Sequence, residues 1–207
     1  MLHIVPDGIN YACALSLAGL ILSYFLDPFL GIPLYLVALF CLWFFRDPER
    51  KIPDGDVMVA PADGRIVSIK AGPEEETRLS IFLNVFNVHV ARSPVAGRIA
   101  ELTRTKGKFR VASLDEASVE NEKSTIRIDA RGRPVVFSLI AGLIARRIIC
   151  YKREGETVAR GERIGLMKFG SRVDVFISGE WSVVVESGQK VSAGTTIIAR
   201  LSEQETV

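Results

Sequence analysis

The sequence predicts a mainly β protein, a barrel or sandwich with lipoyl-like β-turn repeats, preceded by an N-terminal hydrophobic helical hairpin. Three observations carry that prediction. The first 45 residues contain no Lys or Arg and only Asp7 and Asp27 as formal charges. After Lys51, short β-type runs alternate with Gly, Pro and Asp. Finally, two motifs in the body recur at an offset of 33 residues.

The N-terminal region divides into an uncharged segment of 18 residues, 9–26, then Asp27-Pro28, then an uncharged segment of 17 residues, 29–45. Each is at the short limit of a bilayer span. The start, Met-Leu-His-Ile-Val-Pro-Asp, lacks the basic region and cleavage site of a signal peptide, so a retained hairpin is expected. Tyr11, Tyr24, Trp43, Phe44 and Phe45 stand near the segment ends, where aromatic rings favour the lipid interface. Arg46, Arg50 and Lys51 then place the main domain on the cytoplasmic side. Gly31 and Pro33 interrupt the second segment, which leaves open a pair of short helices lying in one leaflet or packed on the domain. The expected organisation is a hairpin and basic junction over 1–51 and a β-domain over 52–207.

Mean hydropathy is +0.26, and the apolar excess sits at the N-terminal end. The chain beyond residue 45 carries 26 positive and 22 negative groups, a net of +4, which disfavours a strongly basic nucleic-acid binder. Cys13, Cys41 and Cys150 form no CxxC pair or metal-ligand spacing, so neither a disulfide framework nor a metal site is expected.

Strand-like runs cover 56–60, 65–69, 79–85, 125–129, 135–140, 173–177, 183–186 and 195–201. An acidic turn is expected over 72–78 and a polar loop over 107–123. Pro61-Ala-Asp-Gly-Arg-Ile66 recurs as Pro94-Val-Ala-Gly-Arg-Ile99. The pattern G-x-x-V-x-x-G-x-x-I starting at Gly155 recurs at Gly188. Such turns carry fold information and no chemistry, because Gly permits the tight turn while Val and Ile point inward.

Histidine is scarce. His89 is the one imidazole of the body, and a core histidine satisfied by a backbone bond is an equally good reading of it alone. Asp63, in Pro61-Ala-Asp-Gly64, reads first as an ordinary turn residue. Ser171 follows Gly170 directly before a strand, and a single Gly-Ser pair means little. Together the three supply a nucleophile, a base and a carboxylate to fix the tautomer of the base. Spacing does not bring them together.

Pro-Ala-Asp-Gly, the Phe-Leu…His…Ser-Pro stretch and Phe-Gly-Ser-Arg-Val-Asp-Val, behind two apolar segments and an Arg-Asp-Pro-Glu-Arg junction, resemble the phosphatidylserine decarboxylase family, and more closely its short prokaryotic branch. The resemblance covers nearly the whole chain in the right order. It implies a self-processing proenzyme that cuts Gly170–Ser171 into a β chain, 1–170, and an α chain, 171–207, which stay associated. Ser171 would become a pyruvoyl group, the cofactor, whose ketone forms a Schiff base with the serine head group. Loss of carbon dioxide would then give phosphatidylethanolamine. By the same resemblance His89 is base and proton donor, and Asp63 orients it. Longer members carry two histidines in a Tyr-His-x-x-His-x-Pro pattern. Counting back from Pro94, His89 matches the first and Arg92 stands at the second, so the two roles must be shared differently here.

Arg92 and Lys168 are candidates for lipid phosphate or carboxylate, although basic residues more often simply face solvent, and the head-group residues stay unassigned. A lipid substrate also gives the hairpin a purpose, since a two-chain phospholipid hardly leaves the bilayer. An ether lipid bearing serine would offer the same amine and carboxylate. A different class, a membrane-tethered biotinyl or lipoyl-like carrier, is suggested by Leu166-Met-Lys-Phe169 with Lys168 as the modified residue, but it leaves His89 and Asp63 without a role. A purely structural membrane-tethered domain would keep Gly170–Ser171 intact. Self-association is compatible with exposed sheet edges.

Overall fold

The computed structural model describes residues 2–72, 76–142, 148–168 and 170–202. Part of the expected acidic turn, 73–75, and Phe169 of the Met-Lys-Phe stretch lie outside the described residues. The chain falls into two compact units, 1–49 and 50–207.

In the first unit β1 (Leu2–Ile4) leads into α1 (Pro6–Phe25), and a short 3-10 turn, Pro28–Gly31, leads into α2 (Ile32–Phe44) and β2 (Arg46–Pro48). β2 pairs antiparallel with β1, closing the hairpin at its base. The twenty residues of α1 rise about 30 Å, the thickness of a bilayer's hydrocarbon core. Alone among the described helices, α1 is long and apolar enough to cross a membrane, and α2 is a shorter apolar helix. Leu17, Leu20, Leu36 and Leu39 are exposed, an arrangement suited to lipid. The two helices approach closely where Gly19 meets Tyr35 and the Gly31 backbone, contacts that a larger residue at either glycine would block.

The second unit is mainly β. In chain order it contains β3 (Val57–Val59), β4 (Gly64–Ala71), β5 (Thr77–Leu83), β6 (Val90–Arg92) and β7 (Gly97–Thr105), then α3 (Glu116–Glu120). β8 (Lys123–Ala130), β9 (Arg133–Ile140), β10 (Ile148–Cys150), β11 (Thr157–Val158) and β12 (Arg163–Met167) follow. β13 (Ser171–Ile177), β14 (Trp181–Val183), β15 (Lys190–Val191) and β16 (Ile197–Leu201) complete it. An eight-stranded sheet has the order β11-β7-β8-β9-β13-β5-β4-β15, and two three-stranded sheets read β10-β12-β6 and β14-β16-β3. The described strands form several sheets and no closed barrel, which refines the expected barrel or sandwich.

The 33-residue echo is architectural. β10, β11 and β12 recur as β14, β15 and β16, and β3 and β4 recur as β6 and β7. β15 pairs with the start of β4 as β11 pairs with the start of β7. The eight-stranded order is therefore symmetric about the antiparallel β9–β13 pair, whose middle is Asp174 opposite Ser138. Alternate residues of the central strands, including Ile81, Ile126, Phe137, Leu139, Val173 and Val175, fill one apolar core. The opposite face carries Ser80, Ser138, Arg172 and Asp174, all buried.

Candidate active site

Strand register gathers the candidate residues at one end of the large sheet. Ser171 opens β13 opposite Leu83, the last residue of β5, and Arg172 lies opposite Ile140, the last residue of β9. On the far side of β5, Arg65 pairs with Phe82, so Asp63 and Gly64 enter the sheet at this same end. A turn at Asn84–Asn87 leads from β5 to His89, whose carbonyl accepts a hydrogen bond from Met167 N at 3.0 Å, four residues before Ser171.

Ser171 is 1% exposed and points to the core face with Val173. Its Oγ has no hydrogen-bond partner among the described residues, and a buried hydroxyl in that state is costly unless it has a task. Gly170 has φ +64°, a left-handed conformation that favours glycine. Its carbonyl oxygen is pressed against Gly142, where a Cβ would overlap that oxygen. The peptide group before Ser171 is thus held by close backbone packing.

His89 is 1% exposed, and its Nδ1 lies 2.9 Å from the Asn87 carbonyl oxygen. A carbonyl only accepts, so Nδ1 carries the proton, and in the neutral ring Nε2 is the atom able to take one. The turn is itself fixed: Asn84 N donates to Asn87 Oδ1 at 2.9 Å, and Phe86 N donates to Asn84 Oδ1 at 2.9 Å.

Asp63 is held by an arginine and a backbone amide. Its two oxygens accept from Arg50 at 2.9 and 2.8 Å, and Oδ1 also accepts from Ala193 N at 2.8 Å. No hydrogen bond joins it to His89, whose tautomer is set by the Asn87 carbonyl. The sequence reading placed Arg50 only among the cations flanking the membrane, whereas it is the partner of Asp63. Of the other flanking cations, Arg46 stacks over Trp43 at 4.2 Å from the ring centroid.

Arg172 was also missed. It is fully buried, donating from Nε to Asp174 at 2.8 Å and from Nη2 to Asp115 at 3.0 Å. The hydrogen bond from Lys70, together with Arg172, holds the Asp115 carboxyl below the usual carboxylate range. Arg172 therefore pins the residue directly after the proposed cleavage point. No sequence pattern flags it, because a charged residue alternating into a strand normally reads as solvent-facing.

Arg92 and Lys168 are buried rather than solvating. Arg92 Nη1 donates to the Gly161 carbonyl at 3.0 Å. Lys168 is only 7% exposed, at odds with the exposed hairpin tip that a carrier lysine needs.

This arrangement is a buried serine after a left-handed glycine, with a buried imidazole and a carboxylate at the same sheet end. Comparison with known sequences gives it a family. The profile of the phosphatidylserine decarboxylase family matches residues 37–199, which includes Asp63, His89 and Ser171. The chain belongs to the phosphatidylserine decarboxylase family. A relative from Solibacter usitatus (strain Ellin6076), named phosphatidylserine decarboxylase proenzyme, is 54% identical over 96% of this chain and 97% of its own length. Proteins of the same name from Syntrophus aciditrophicus (strain SB) and Magnetococcus marinus (strain ATCC BAA-1437 / JCM 17883 / MC-1) are 42% and 45% identical. They cover 92% and 83% of this chain, and 94% and 83% of their own lengths.

Proposed function

We propose that the chain is a self-processing decarboxylase proenzyme acting on phosphatidylserine, with Ser171 as the precursor of its pyruvoyl group. The observation that carries this reading is the buried, unpartnered Ser171 Oγ beside a Gly170 carbonyl packed on Gly142. The site suits the group, because Ser171 is enclosed and Gly170 leaves space where a Cβ would otherwise stand.

His89 Nε2 takes the proton of Ser171 Oγ, and that oxygen attacks the Gly170 carbonyl carbon. The acyl group moves from the Ser171 nitrogen to its oxygen, and the nitrogen takes up a proton. Elimination then removes the Cα proton of Ser171 and breaks its Cβ–Oγ bond, freeing the Gly170 carboxylate and leaving a dehydroalanine. Addition of water with loss of ammonia leaves the α chain blocked at position 171. The pyruvoyl carbonyl supplies the electron sink required when carbon dioxide leaves the substrate. His89 holds the proton returned to the former α-carbon. Asp63, through Arg50 and Ala193, is a positioning residue, and Arg172 anchors the new α-chain end. The unit spanning 1–49 keeps the enzyme in the membrane, with the catalytic body on the cytoplasmic face and both chains associated.

Intact-protein mass spectrometry tests the reading. The wild-type chain should give a C-terminal fragment of about 4 kDa that starts at position 171 with a blocked terminus. Ser171→Ala should give one intact chain with no decarboxylation. Two chains in that variant, or an intact and active wild type, would overturn the proposal.

A further inference from the structure

β4 and β5 are joined by five residues, 72–76, whereas their counterparts β7 and β8 are joined by seventeen, 106–122. Five residues suffice to close this hairpin, so the extra length in the second connection calls for another use. It lies at the sheet end that holds Ser171, because Thr105 pairs with Lys123 and Lys123 pairs with Ile140.

Its position there is fixed by its own contacts. Asn121, 1% exposed, exchanges hydrogen bonds with the Arg110 backbone at 2.7 and 2.9 Å and donates to the Ala141 carbonyl at 2.8 Å. Ala112 meets Gly142, the residue against the Gly170 carbonyl. The Leu114 carbonyl accepts from Arg172 at 3.3 Å. The segment is therefore held against both sides of the Gly170–Ser171 bond.

From 104 to 114 the sequence reads Arg-Thr-Lys-Gly-Lys-Phe-Arg-Val-Ala-Ser-Leu, with four cations and no acid. Glu120 pairs with Lys108 and Arg110. Arg104 and Lys106 are exposed and have no ion pair among the described residues. Val111 and Leu114 are 44% and 52% exposed. At the same sheet end, beyond β9 and β13, the fixed turn at Asn84–Asn87 holds Phe86 at 68% exposure. Exposed apolar side chains interleaved with cations match an anionic bilayer surface, where the rings and aliphatic groups enter the head-group layer and the cations meet lipid phosphates.

We infer that segment 104–114, with Phe86, is a second membrane-docking surface that presses the active-site end of the β-domain onto anionic lipid. This rests on the proposed action on a membrane phospholipid and adds where that membrane is met. The hairpin tethers the chain; this surface brings the Ser171 end to the head groups. The occupant is the anionic bilayer and not a nucleic acid, since exposed aliphatic side chains gain from lipid and add nothing to phosphate-backbone binding.

The full chain is reconstituted in phosphatidylcholine vesicles, with or without phosphatidylglycerol, which is anionic and is not the substrate, and then exposed to trypsin. Cleavage within 104–110 should slow on the anionic vesicles by about fivefold for each cation engaged, equivalent to about 1 kcal/mol each, and recover at high salt. Cleavage after Arg153, near the opposite sheet end, should be the same on both. Equal cleavage of 104–110 on both vesicles, or stronger protection by an RNA oligomer than by anionic vesicles, would overturn the inference. In a second test, K106Q/K108Q should lower the ratio of turnover on bilayer phosphatidylserine to turnover on dispersed short-chain phosphatidylserine by tenfold or more. An unchanged ratio would also overturn it. A wild type inactive on both substrates would refute the decarboxylase reading, while protection from trypsin, which needs no turnover, still decides the docking surface.

Discussion

At one end of the eight-stranded sheet stand Asp63, Gly64 and Ser171, with His89 arriving from the β5–β6 turn; at the other, across the β9–β13 pair, stand their counterparts. Ala96 occupies the place of Asp63, Gly97 that of Gly64, and Asp56 that of His89, each at the 33-residue offset. The backbone is conserved in detail. Gly64 and Gly97 each lie so close to the neighbouring strand that a Cβ would overlap a carbonyl oxygen, that of Phe82 in one half and Asp129 in the other. Gly188 donates to the Ile66 carbonyl at 2.7 Å as Gly155 donates to that of Ile99 at 2.8 Å. The polar residues are not repeated. The end without Ser171 instead borders a cleft of about 900 Å³ lined in part by Asp56, Arg133, Glu180 and Arg200. A duplicated frame thus offers two equivalent ends, and only one of them carries both the buried imidazole and the buried, unpartnered serine.

The comparison is put most severely at risk by removing the His89 and Asp56 side chains in turn. His89→Ala should slow appearance of the 4 kDa fragment by about a hundredfold or more, the scale of lost general-base assistance. Asp56→Ala should leave it at the wild-type rate. Equal effects, timed by mass spectrometry during refolding, would mean that the two ends do not differ in the way proposed.

Substitution of the paired glycines tests the shared frame. Gly64→Ala and Gly97→Ala should each lower stability by roughly 2–3 kcal/mol, because rigid backbone receives the added methyl. The measurement is the urea midpoint in the uncleavable Ser171→Ala background. At Gly155 and Gly188, with φ +88° and +87°, a Cβ would meet only the Arg98 side chain at 3.7 Å in the first and nothing within 4 Å in the second, so alanine should cost only about 1 kcal/mol. A large difference between members of either pair would argue against equivalent halves.

Asp63→Asn separates charge from geometry. The amide oxygen still accepts from Ala193, while the ion pair with Arg50 is lost at a site where both side chains are mostly buried, 15% and 13% exposed. A loss of about 1–2 kcal/mol is expected, with slower processing because the turn holding Gly64 loosens. Ala96→Asp, at an exposed position, should change stability by less than about 0.5 kcal/mol. Thermal melting of the two variants decides, and a neutral Asp63→Asn would remove its positioning role.

Much of this organisation is legible in the chain because it is carried by local signals. The charge-free start gives the hairpin, and the glycine spacing gives the repeated turns. β7 was not foreseen, since Arg98, Glu101 and Arg104 obscure its alternation with Ile99 and Leu102. β10, β11 and β12 were also missed, being two to five residues long. The site was legible as residue types and not as partnerships. Asp63 is joined to Arg50 across 13 positions and to Ala193 across 130, and no pattern in sequence reports such contacts. The tautomer of His89 depends on a backbone carbonyl, which every residue possesses.

The smallest expected effect concerns pH and one pair of turns. In one half, Glu162 accepts from Ala159 N at 2.7 Å; in the other, Ser192 N donates to the Thr196 hydroxyl at 2.9 Å. Only the first can titrate. The hydrogen bond from Lys152, followed by that from Ala159, holds the Glu162 carboxyl below its ordinary value of 4.5, and the same contact with Glu162 raises Lys152 above its ordinary 10.5. The contribution of Glu162 is thus complete above about 4.5 and is lost as pH falls through its lower folded value. That of Lys152 is complete below about 10.5 and is lost as pH rises through its higher folded value. Within that window the pair should add less than about 1 kcal/mol, because both groups are partly exposed. Hydrogen exchange at the Ala159 amide, after correction for intrinsic rates, should lose protection as pH falls through the lowered folded value of Glu162, while the Ser192 amide keeps its own. Matched losses at both amides would trace the acid response to the shared frame instead of the carboxylate.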